Sequence, residues 1–419
     1  MKVLWFEVTP PSRYYNKKMP IAGWQDALEN IVFKCSDIEL FVSFETKDDA
    51  EIKKIDGITY IPFKIKYSKL EQKRNEWTYD IYKEKILKSS IQVIEFVQPD
   101  LIQAFGCEWP FGLVAEKVDI PVVIHIQGSI IPYTNANFPP GYNYLTKCKY
   151  AGLSFRQYFH LYKSYKRIQS HLAAEYQVWN FAHFYMGRTC WDESLVTTLS
   201  PNSIYYHVDE ALREQFLKSS KRWSPVRDEK IRLVTIGLTT FWKGPDMLLK
   251  TAHILKNMSI NFEWNVVGKI NSDVKKIVEK KEQITFKDNN VKILGMKQPE
   301  ELIDILCSSN IYVHTAYIEN SPNSICEAQY LGLPIISTHV GGIETLLSNG
   351  YDGILIPAND PWRMASEIIK LSKDESMMRE YGKRSMEHAH KRHNPGTILC
   401  DLLKCYKDVI SKYKANYKK

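Results

Sequence analysis

A series of short apolar runs, separated by amphipathic stretches, constrains the fold of this 419-residue chain more than any other feature. Eight runs are largely apolar, as strands buried on both faces of a parallel sheet are: KVLWFEV, IELFVSF, DLIQAFG, PVVIHIQ, IRLVTIG, FEWNVVG, IYVHTA and PIISTHV. Strands that alternate with helices pair in parallel, because a helix carries the chain back to the start of the next strand. The pattern therefore predicts an α/β protein with parallel sheets.

The chain is too long for one ordinary core, so two domains are expected. The stretch LKSSKRWSPVRDEK, from Leu217 to Lys230, is polar, charged and interrupted by Pro225, as linkers are. We predict a first Rossmann-like domain over 1–222 and a second over 228–395. Two such domains are expected to face a central cleft, with a ligand at the carboxyl ends of their strands.

Composition narrows the class of protein. The net charge of +8 mildly favours an anionic partner. The eight cysteines contain no C-x-x-C pair, which argues against a zinc site or a disulfide framework. The opening MKVLWFEVTP resembles a buried strand more than a signal peptide, and no run of about 18 apolar residues is present. A soluble protein of the reducing cytoplasm is expected.

The stretch ENSPNSICEAQYLG follows the apolar run NIYVHTA and predicts a helix. Ser321 is a suitable N-cap, Pro322 suits the first helical position, and Gly332 would end the helix. The backbone amides of Asn323 and Ser324 would then be free at a helix N-terminus, where the helix dipole favours an anion. This arrangement predicts a phosphate site.

Two carboxylates flank this helix start. Glu327 lies inside the predicted helix and could accept hydrogen bonds from a ribose diol, as acidic residues do in dinucleotide-binding folds. Glu319 lies in the preceding loop and would face the group beyond the phosphates. The alternative interpretation is that both are ordinary acids near a helix N-terminus, where the dipole favours them.

A second strand-loop-helix, VTIGLTTFWKGPDMLLKTAHIL, offers a cation. Gly237 ends the strand and Pro245 opens the helix. Lys243 lies at that helix start, where an ammonium group pairs well with phosphate oxygens. A solvated surface lysine is the alternative. Two such helix starts in one domain favour a phosphate-binding function.

The second half of the chain resembles the nucleotide-sugar domain of the GT-B glycosyltransferases, specifically the retaining family 4 (glycosyltransferase group 1), of the capsule and cell-wall polysaccharide type. The motifs follow the order of that family: IGLTTFWKG, WNVVGK, VKILGMKQPEELIDILCSSNIYVHTA, ENSPNSICEAQYLGLPIISTHVGGIETLL and GYDGILIPANDPWRMA. They cover about 231–372, and the pair Glu319 and Glu327 matches its E-x7-E signature. The first half resembles the family more loosely, through QPDLIQAFG, DIPVVIHIQGS and IYYHVDEALREQF.

Members of that family move a sugar from a nucleotide diphosphate donor to an acceptor hydroxyl and retain the anomeric configuration. The resemblance implies that Glu327 holds the ribose. It implies that the amides of Asn323 and Ser324 hold the diphosphate together with Lys243. Glu319 is implied beside the transferred sugar, so Glu319 and Lys243 are the candidate catalytic residues.

Glycines complete the implied donor site. Gly295 and Met296 match the stretch that cups the base, and Gly237 lies at the strand end. Gly23, in FEVTPPSRYY…IAGWQDALEN, matches the opening loop of the first domain, where glycine lets backbone approach phosphates. The last helix, 396–419, is implied to pack back on the first domain. No D-x-D occurs, so no metal and no cofactor are expected beside a UDP- or GDP-linked sugar as donor substrate.

The sequence departs from the family pattern at two places. Many members carry an arginine after the strand-ending glycine, whereas this chain has Leu238. The family often has a histidine after the strand PVVIH, whereas Gln127 occupies that place and His125 falls inside the strand. Gln127 is a candidate sugar contact, and His125 is either a second one or a core histidine.

These departures leave a second function open: a weak or inactive nucleotide-sugar-binding or membrane scaffold protein on the same fold. Another reaction on the GT-B fold, such as epimerisation, fits less well, because those relatives lack the E-x7-E arrangement. Nucleic acid is not an expected partner, since no recognisable binding module is present.

The acceptor side is suggested by the stretch 120–174, which contains no acidic residue. Its basic residues are Lys147, Lys149, Arg156, Lys163, Lys166 and Arg167, and its aromatic residues include Tyr142, Tyr144, Tyr150, Phe155, Tyr158, Phe159, Tyr162 and Tyr165. Such a surface over 142–167 fits a lipid-linked or glycan acceptor and peripheral contact with an anionic membrane. The alternative is a helix with its aromatics in the core and its lysines in water.

Overall fold

A computed structural model describes residues 1–15, 23–152, 155–226 and 228–416. They form two units. The first comprises Met1–Pro132, Phe159–Arg213 and His393–Lys419, and the second Tyr133–Tyr158 and Glu214–Arg392. The predicted domain bounds stay a prediction.

In chain order, the strands of the two units are β1 (Lys2–Glu7), β2 (Glu39–Glu45), β3 (Lys53–Ile55), β4 (Ile58–Phe63), β5 (Leu101–Phe105), β6 (Val122–His125), β7 (Phe184–Gly187), β8 (Ile204–His207), β9 (Ile231–Ile236), β10 (Phe262–Val267), β11 (Val291–Gly295), β12 (Ile311–His314), β13 (Ile335–Thr338) and β14 (Ile354–Ile356). All eight apolar runs are confirmed as strands.

Helices connect most of these strands, whereas β2, β3 and β4 follow one another without a helix between them. The helices are α1 (Ser12–Tyr15), α2 (Trp24–Val32), α3 (Lys69–Asn75), α4 (Asp80–Val97), α5 (Ile130–Tyr133), α6 (Tyr144–Ala151), α7 (Phe155–Phe181), α8 (Cys190–Leu199), α9 (Glu214–Lys218), α10 (Pro245–Asn257), α11 (Ser272–Glu282), α12 (Pro299–Cys307), α13 (Asn323–Leu331), α14 (Ile343–Leu346), α15 (Pro361–Ser372), α16 (Glu375–Arg392) and α17 (Pro395–Asn416). Short 3₁₀ stretches cover Pro110–Glu116, Thr134–Ala136, Phe241–Lys243 and Lys287–Asn289.

Within the described residues, the sheet of the first unit has the order β3-β4-β2-β1-β5-β6-β7-β8, and only the β3–β4 pair is antiparallel. The sheet of the second unit has the order β11-β10-β9-β12-β13-β14 and is parallel throughout that part of the chain. In each sheet, the direction in which successive strands are added reverses next to the first strand. The reversal lies between β1 and β5 in the first sheet and between β9 and β12 in the second. Ligands of such sheets bind at the carboxyl ends of the strands at these switch points.

Helix α17 packs on the first unit, where Tyr406 is fully buried. The Tyr406 hydroxyl accepts a hydrogen bond from Trp5 Nε1 at 2.9 Å and donates one to Gln103. The prediction of a C-terminal helix is confirmed for Pro395–Asn416, and the last residues of the predicted span lie outside the described residues.

The segment 217–230 is not the free linker that its composition predicts. Trp223 packs against the core of the second unit. Its backbone amide donates to Leu331 O at 2.8 Å, and its indole Nε1 donates to Ser309 O at 2.7 Å.

The Lys221 ammonium also pairs with Asp304, and Asn310 Nδ2 donates to Val226 O at 3.1 Å. Trp223 and these polar contacts together fix the stretch within the second unit.

Candidate functional site

The switch point of the second sheet brings Lys243 and Glu319 together. Lys243 follows β9 and Glu319 follows β12, and these two strands are neighbours. The Lys243 ammonium and the Glu319 carboxylate form an ion pair. The Lys243 side chain is 28% exposed and the Glu319 side chain only 7%. The interpretation of Lys243 as a solvated surface lysine is therefore wrong.

Close backbone packing holds the loop that carries Lys243 against the loop that carries Glu319. The Thr315 hydroxyl donates to Lys243 O at 3.0 Å, and the Tyr317 amide donates to Trp242 O at 2.7 Å. Gly244 has φ 72°, and a Cβ at that position would lie 1.9 Å from Thr315 O. Only glycine fits both the left-handed backbone and this approach.

Glu319 is fixed from the other side by the loop after β13. Gly342 donates its amide to Glu319 O at 3.0 Å. Gly341 has φ 53°, and a Cβ there would lie 1.9 Å from the same oxygen. The backbone of Glu319 is thus held between two loops, which orients its carboxylate.

Helix α13 begins later than predicted. Ser321 is not the N-cap and Pro322 is not the first helical residue, because the helix starts at Asn323 with Pro322 at the N-cap. Proline has no side-chain acceptor, and no side-chain cap hydrogen bond is made. The first turn, at Asn323 and Ser324, therefore still suits an anion. Gly332 ends the helix in the left-handed conformation, as predicted.

The second carboxylate of the E-x7-E signature, that of Glu327, also acts on a residue of β12. Glu327 lies in the second turn of α13 and is 2% exposed. Both Glu319 and Glu327 add to the effect of burial in raising the pKa of Tyr312, a β12 residue, and Ser324 hydrogen-bonds to the Tyr312 hydroxyl. The charges of both carboxylates therefore act on one buried phenol, which lies beside Ser324 at the start of α13.

Sequence reasoning missed His314, which ends β12 and is 3% exposed. Its Nε2 lies 3.8 Å from Glu319 Oε1, and its Nδ1 lies 3.4 Å from the Tyr312 hydroxyl. The only available signal was a polar residue at the carboxyl end of an apolar strand that precedes Glu319. Such a residue looks like part of the strand until the loop is folded back.

Three glycines with positive φ follow neighbouring strands of this sheet. They are Gly237 (φ 77°) after β9, Gly268 (φ 99°) after β10 and Gly295 (φ 72°) at the end of β11. Gly268 donates its amide to Gly295 O at 2.8 Å. An added Cβ at Gly237 or Gly295 would meet no atom within 4 Å, so this edge of the sheet has room for a ligand. Met296, the next residue, is 59% exposed at the same edge.

Leu238 is 1% exposed and belongs to the core of the second unit, with Phe241 and Met247. The position at which many members of the resembled family carry an arginine is therefore occupied by a buried leucine. Lys243 and the start of α13 remain as the candidate phosphate ligands of this switch point.

The candidates of the first unit lie at the carboxyl end of its own sheet. Gly23 precedes α2 with φ 58°, although residues 16–22 of its loop lie outside the described part. His125 is fully buried between the rings of Trp24 and Phe105, and burial lowers its pKa well below the usual range. It is a neutral core histidine. Gln127 follows β6, and its backbone oxygen accepts from Arg188 Nη2 at 3.0 Å.

The residues of the predicted acceptor surface over 142–167 are partly buried and partly exposed. Tyr142 is 6% exposed in the core of the second unit, and its hydroxyl donates to Glu282 Oε1 at 2.6 Å. Its assignment to an outer surface is therefore wrong. Helix α7 instead exposes Tyr158, Phe159, Tyr162 and Tyr165, each by 41–52%. The side chain of Phe155 lies outside the described residues. Among the helices described, none has the length and apolar character needed to cross a membrane.

Residues 218–388 match the family model of glycosyl transferases group 1. An uncharacterized glycosyltransferase of Methanocaldococcus jannaschii is 26% identical over 184 residues, which are 43% of this chain and 46% of that protein. The chain thus matches less than half of the length of this curated relative.

Two solved structures share the fold at 15% identity. Sucrose-phosphate synthase from Thermosynechococcus elongatus aligns over 98% of this chain and 100% of its own, with a TM-score of 0.71. Anabaena HepE in complex with UDP-glucose aligns over 97% and 100%, with a TM-score of 0.66. The two Rossmann-like units thus have the fold of the GT-B glycosyltransferases. The family model over 218–388 and the match to the relative support the group 1 glycosyltransferase family.

Proposed function

We propose that this protein is a retaining glycosyltransferase that moves a hexose-type sugar from a nucleotide diphosphate sugar to an acceptor hydroxyl. The observation that carries the proposal is the ion pair of Lys243 with Glu319 at the switch point, beside the open start of α13 and the buried Glu327. A cation, helix amides and two carboxylates meet there, as binding of a diphosphate, a ribose and a sugar requires.

The chemistry follows from where charge develops. When the bond between the sugar and the diphosphate breaks, negative charge grows on the phosphate oxygens. Lys243 and the first-turn amides of Asn323 and Ser324 are preorganised to stabilise that charge. The sugar ring becomes oxocarbenium-like, and the carboxylate of Glu319 stabilises the positive charge. Glu327 holds the ribose, and no metal or cofactor is needed in this scheme.

The donor is proposed to be UDP- or GDP-linked. HepE, which shares the fold, has been solved with UDP-glucose. The open edge at Gly237 and Gly295, with Met296 beside it, is proposed to receive the base. Gly23 and Gln127 of the first unit are proposed on the phosphate and sugar side, as the family resemblance implies. His125, buried and neutral, is given no role in binding.

A nucleotide-release and thermal-shift screen tests the proposal. UDP-, GDP-, ADP- and dTDP-sugars are each added with and without a divalent metal. We expect one nucleotide class to raise the unfolding temperature and to release its diphosphate slowly, with no need for the metal. Glu327→Ala should abolish that shift, since the ribose contact is lost.

The matched control is Glu300→Ala, which removes an exposed acid in the first turn of α12 in the same unit. If Glu327 served only the helix dipole, the two variants would behave alike. If no nucleotide sugar raised the unfolding temperature of the intact protein, the scaffold alternative would be favoured. The buried Leu238 supports that alternative, because one cationic phosphate ligand is missing.

The acceptor is proposed to be a lipid-linked or surface-polysaccharide precursor, reached at the inner face of an anionic membrane. Helix α7 exposes Phe159, Tyr162 and Tyr165, with Lys166 directly after Tyr165. Lys163, between Tyr162 and Tyr165, pairs with Glu76 at 2.6 Å. The Lys163 ammonium lies 5.3 Å from the Phe159 ring centre. Amphipathic aromatic rings interleaved with cations suit the lipid headgroup region.

Vesicle sedimentation tests this surface. Vesicles rich in anionic lipid should bind the protein more tightly than neutral ones, and Lys166→Glu should weaken that binding about fivefold or more, since each basic residue near the surface contributes about 1 kcal/mol. Lys407→Glu, at an exposed position of α17, is the control. Equal effects of the two variants would assign the binding to net charge and contradict the role of α7.

A further inference from the structure

His314 lies directly behind the proposed sugar-binding carboxylate. It ends β12, is buried, and has Glu319 Oε1 at 3.8 Å from its Nε2. This distance is too long for a hydrogen bond, so Nε2 has no hydrogen-bond partner among the described residues. Glu319 meanwhile faces the ammonium group of Lys243.

The protonation state of His314 decides what it can offer. Burial lowers the pKa of His314, Glu319 opposes this effect and the Lys243 cation adds to it, so that the resulting pKa is about 4. The imidazole is therefore neutral at physiological pH and carries one N–H. A carboxylate can only accept, which favours the tautomer with that hydrogen on Nε2. Nδ1 then accepts from the Tyr312 hydroxyl at 3.4 Å, and Ser324 in turn hydrogen-bonds to that hydroxyl.

The ion pair creates a difficulty for donor binding. A diphosphate that recruits Lys243 removes the partner of a carboxylate whose side chain is only 7% exposed. A buried carboxylate left without a partner is costly. The neighbouring Nε2–H of His314 is the donor that could replace the lysine after a small movement.

We propose that His314 is a positioning residue that receives Glu319 when the donor's diphosphate draws Lys243 away. Glu319 exchanges its ion pair for a hydrogen bond from His314 Nε2, and no proton is transferred. The exchange keeps the carboxylate hydrogen-bonded and turned toward the sugar. The inference rests on the proposed function, because it requires that Lys243 binds a diphosphate.

Binding of nucleotides separates this role from a merely structural one. UDP and GDP are compared with uridine and guanosine, which have no phosphate to recruit Lys243. We expect His314→Leu to weaken diphosphate binding about tenfold, the value of a hydrogen bond to a charged group, and to leave nucleoside binding unchanged. His314→Gln should recover most of the loss, because its amide can donate to Glu319.

Two further variants complete the experiment. In a Lys243→Ala background, His314→Leu should have no added effect on diphosphate binding, because no ion pair remains to be exchanged. His253→Leu, on α10 of the same unit, is the control for loss of a partly buried histidine and should leave the affinity unchanged.

The outcomes are distinct. Equal affinity of His314→Leu and the unmodified protein for the diphosphate would overturn the positioning role while leaving the proposed function intact. Equal losses for diphosphate and nucleoside would mean a general packing defect and would also overturn it. Failure of the unmodified protein to bind any nucleotide would overturn the proposed function itself, and with it this inference.

Discussion

Replacing Lys243 with alanine is expected to lower the rate of sugar transfer by about 10²- to 10³-fold, the usual effect of removing one preorganised charge-stabilising group. The ammonium group that meets the leaving diphosphate is lost. Glu319 also loses its cationic partner. The initial rate of nucleoside diphosphate release in the presence of acceptor measures the effect, and a circular dichroism spectrum verifies the fold.

Lys250→Ala is the matched control for this prediction. Lys250 is 25% exposed, similar to Lys243, and forms an ion pair with Asp246 in the same unit. Its loss should lower stability and leave the transfer chemistry in place. The double variant Lys243→Ala/Glu319→Ala removes both charges, so it should regain stability relative to Lys243→Ala and remain inactive. Normal turnover of Lys243→Ala would exclude the diphosphate role.

Gly341→Ala is expected to reduce transfer by about 10²-fold, because a displacement of about 1 Å at a reacting group has that effect. The added Cβ would lie 1.9 Å from Glu319 O, and this oxygen belongs to backbone that must move. An alanine at this position would also be forced to adopt φ 53°, a left-handed backbone conformation that is strained for a residue with a Cβ. Turnover number and the thermal unfolding midpoint are measured together.

Gly350→Ala separates strain from displacement. Gly350 also has a positive φ, 74°, but an added Cβ would meet no atom within 4 Å. It should lose about 1–2 kcal/mol of stability from the left-handed backbone and keep its turnover number. If both variants lost turnover equally, general destabilisation rather than movement of Glu319 would be the cause.

The central strands and the donor-site signature were accessible from sequence because both are local patterns. A strand such as β1 is buried along most of its length, so its residues are apolar without interruption. The predicted runs missed six strands, β3, β4, β7, β8, β11 and β14. Four of them, β3, β8, β11 and β14, lie at sheet edges, and an edge strand needs no apolar run. Strand β7 is buried inside the sheet, but its four residues, FYMG, are too few to form a recognisable run. The pairing of Lys243 with Glu319 follows from strand order, which adjacent motifs do not encode.

Other features depend on contacts between distant parts of the chain. Tyr142 lies in a basic aromatic stretch that looks like an outer surface, yet it is buried because Phe241 and Glu282 provide a packing face and an acceptor. Ser321 has the chemistry of an N-cap, but Pro322 holds that position in the structure. His314 gains its neighbour only when Glu319 folds back.

The segment Tyr133–Tyr158 is encoded between two strands of the first sheet and belongs to the second unit. Phe138 packs on Phe241, and Lys276 Nζ donates to Ala151 O at 3.1 Å. During synthesis on the ribosome, this aromatic segment emerges well before the residues that bury it. The aromatic side chains of this segment are therefore exposed to solvent on the nascent chain. The core of the second unit is complete only when residues made later pack against this earlier segment. A chain cut to Glu214–Arg392 would lack part of its own packing, so the two halves cannot be separated cleanly at the polar stretch near Pro225.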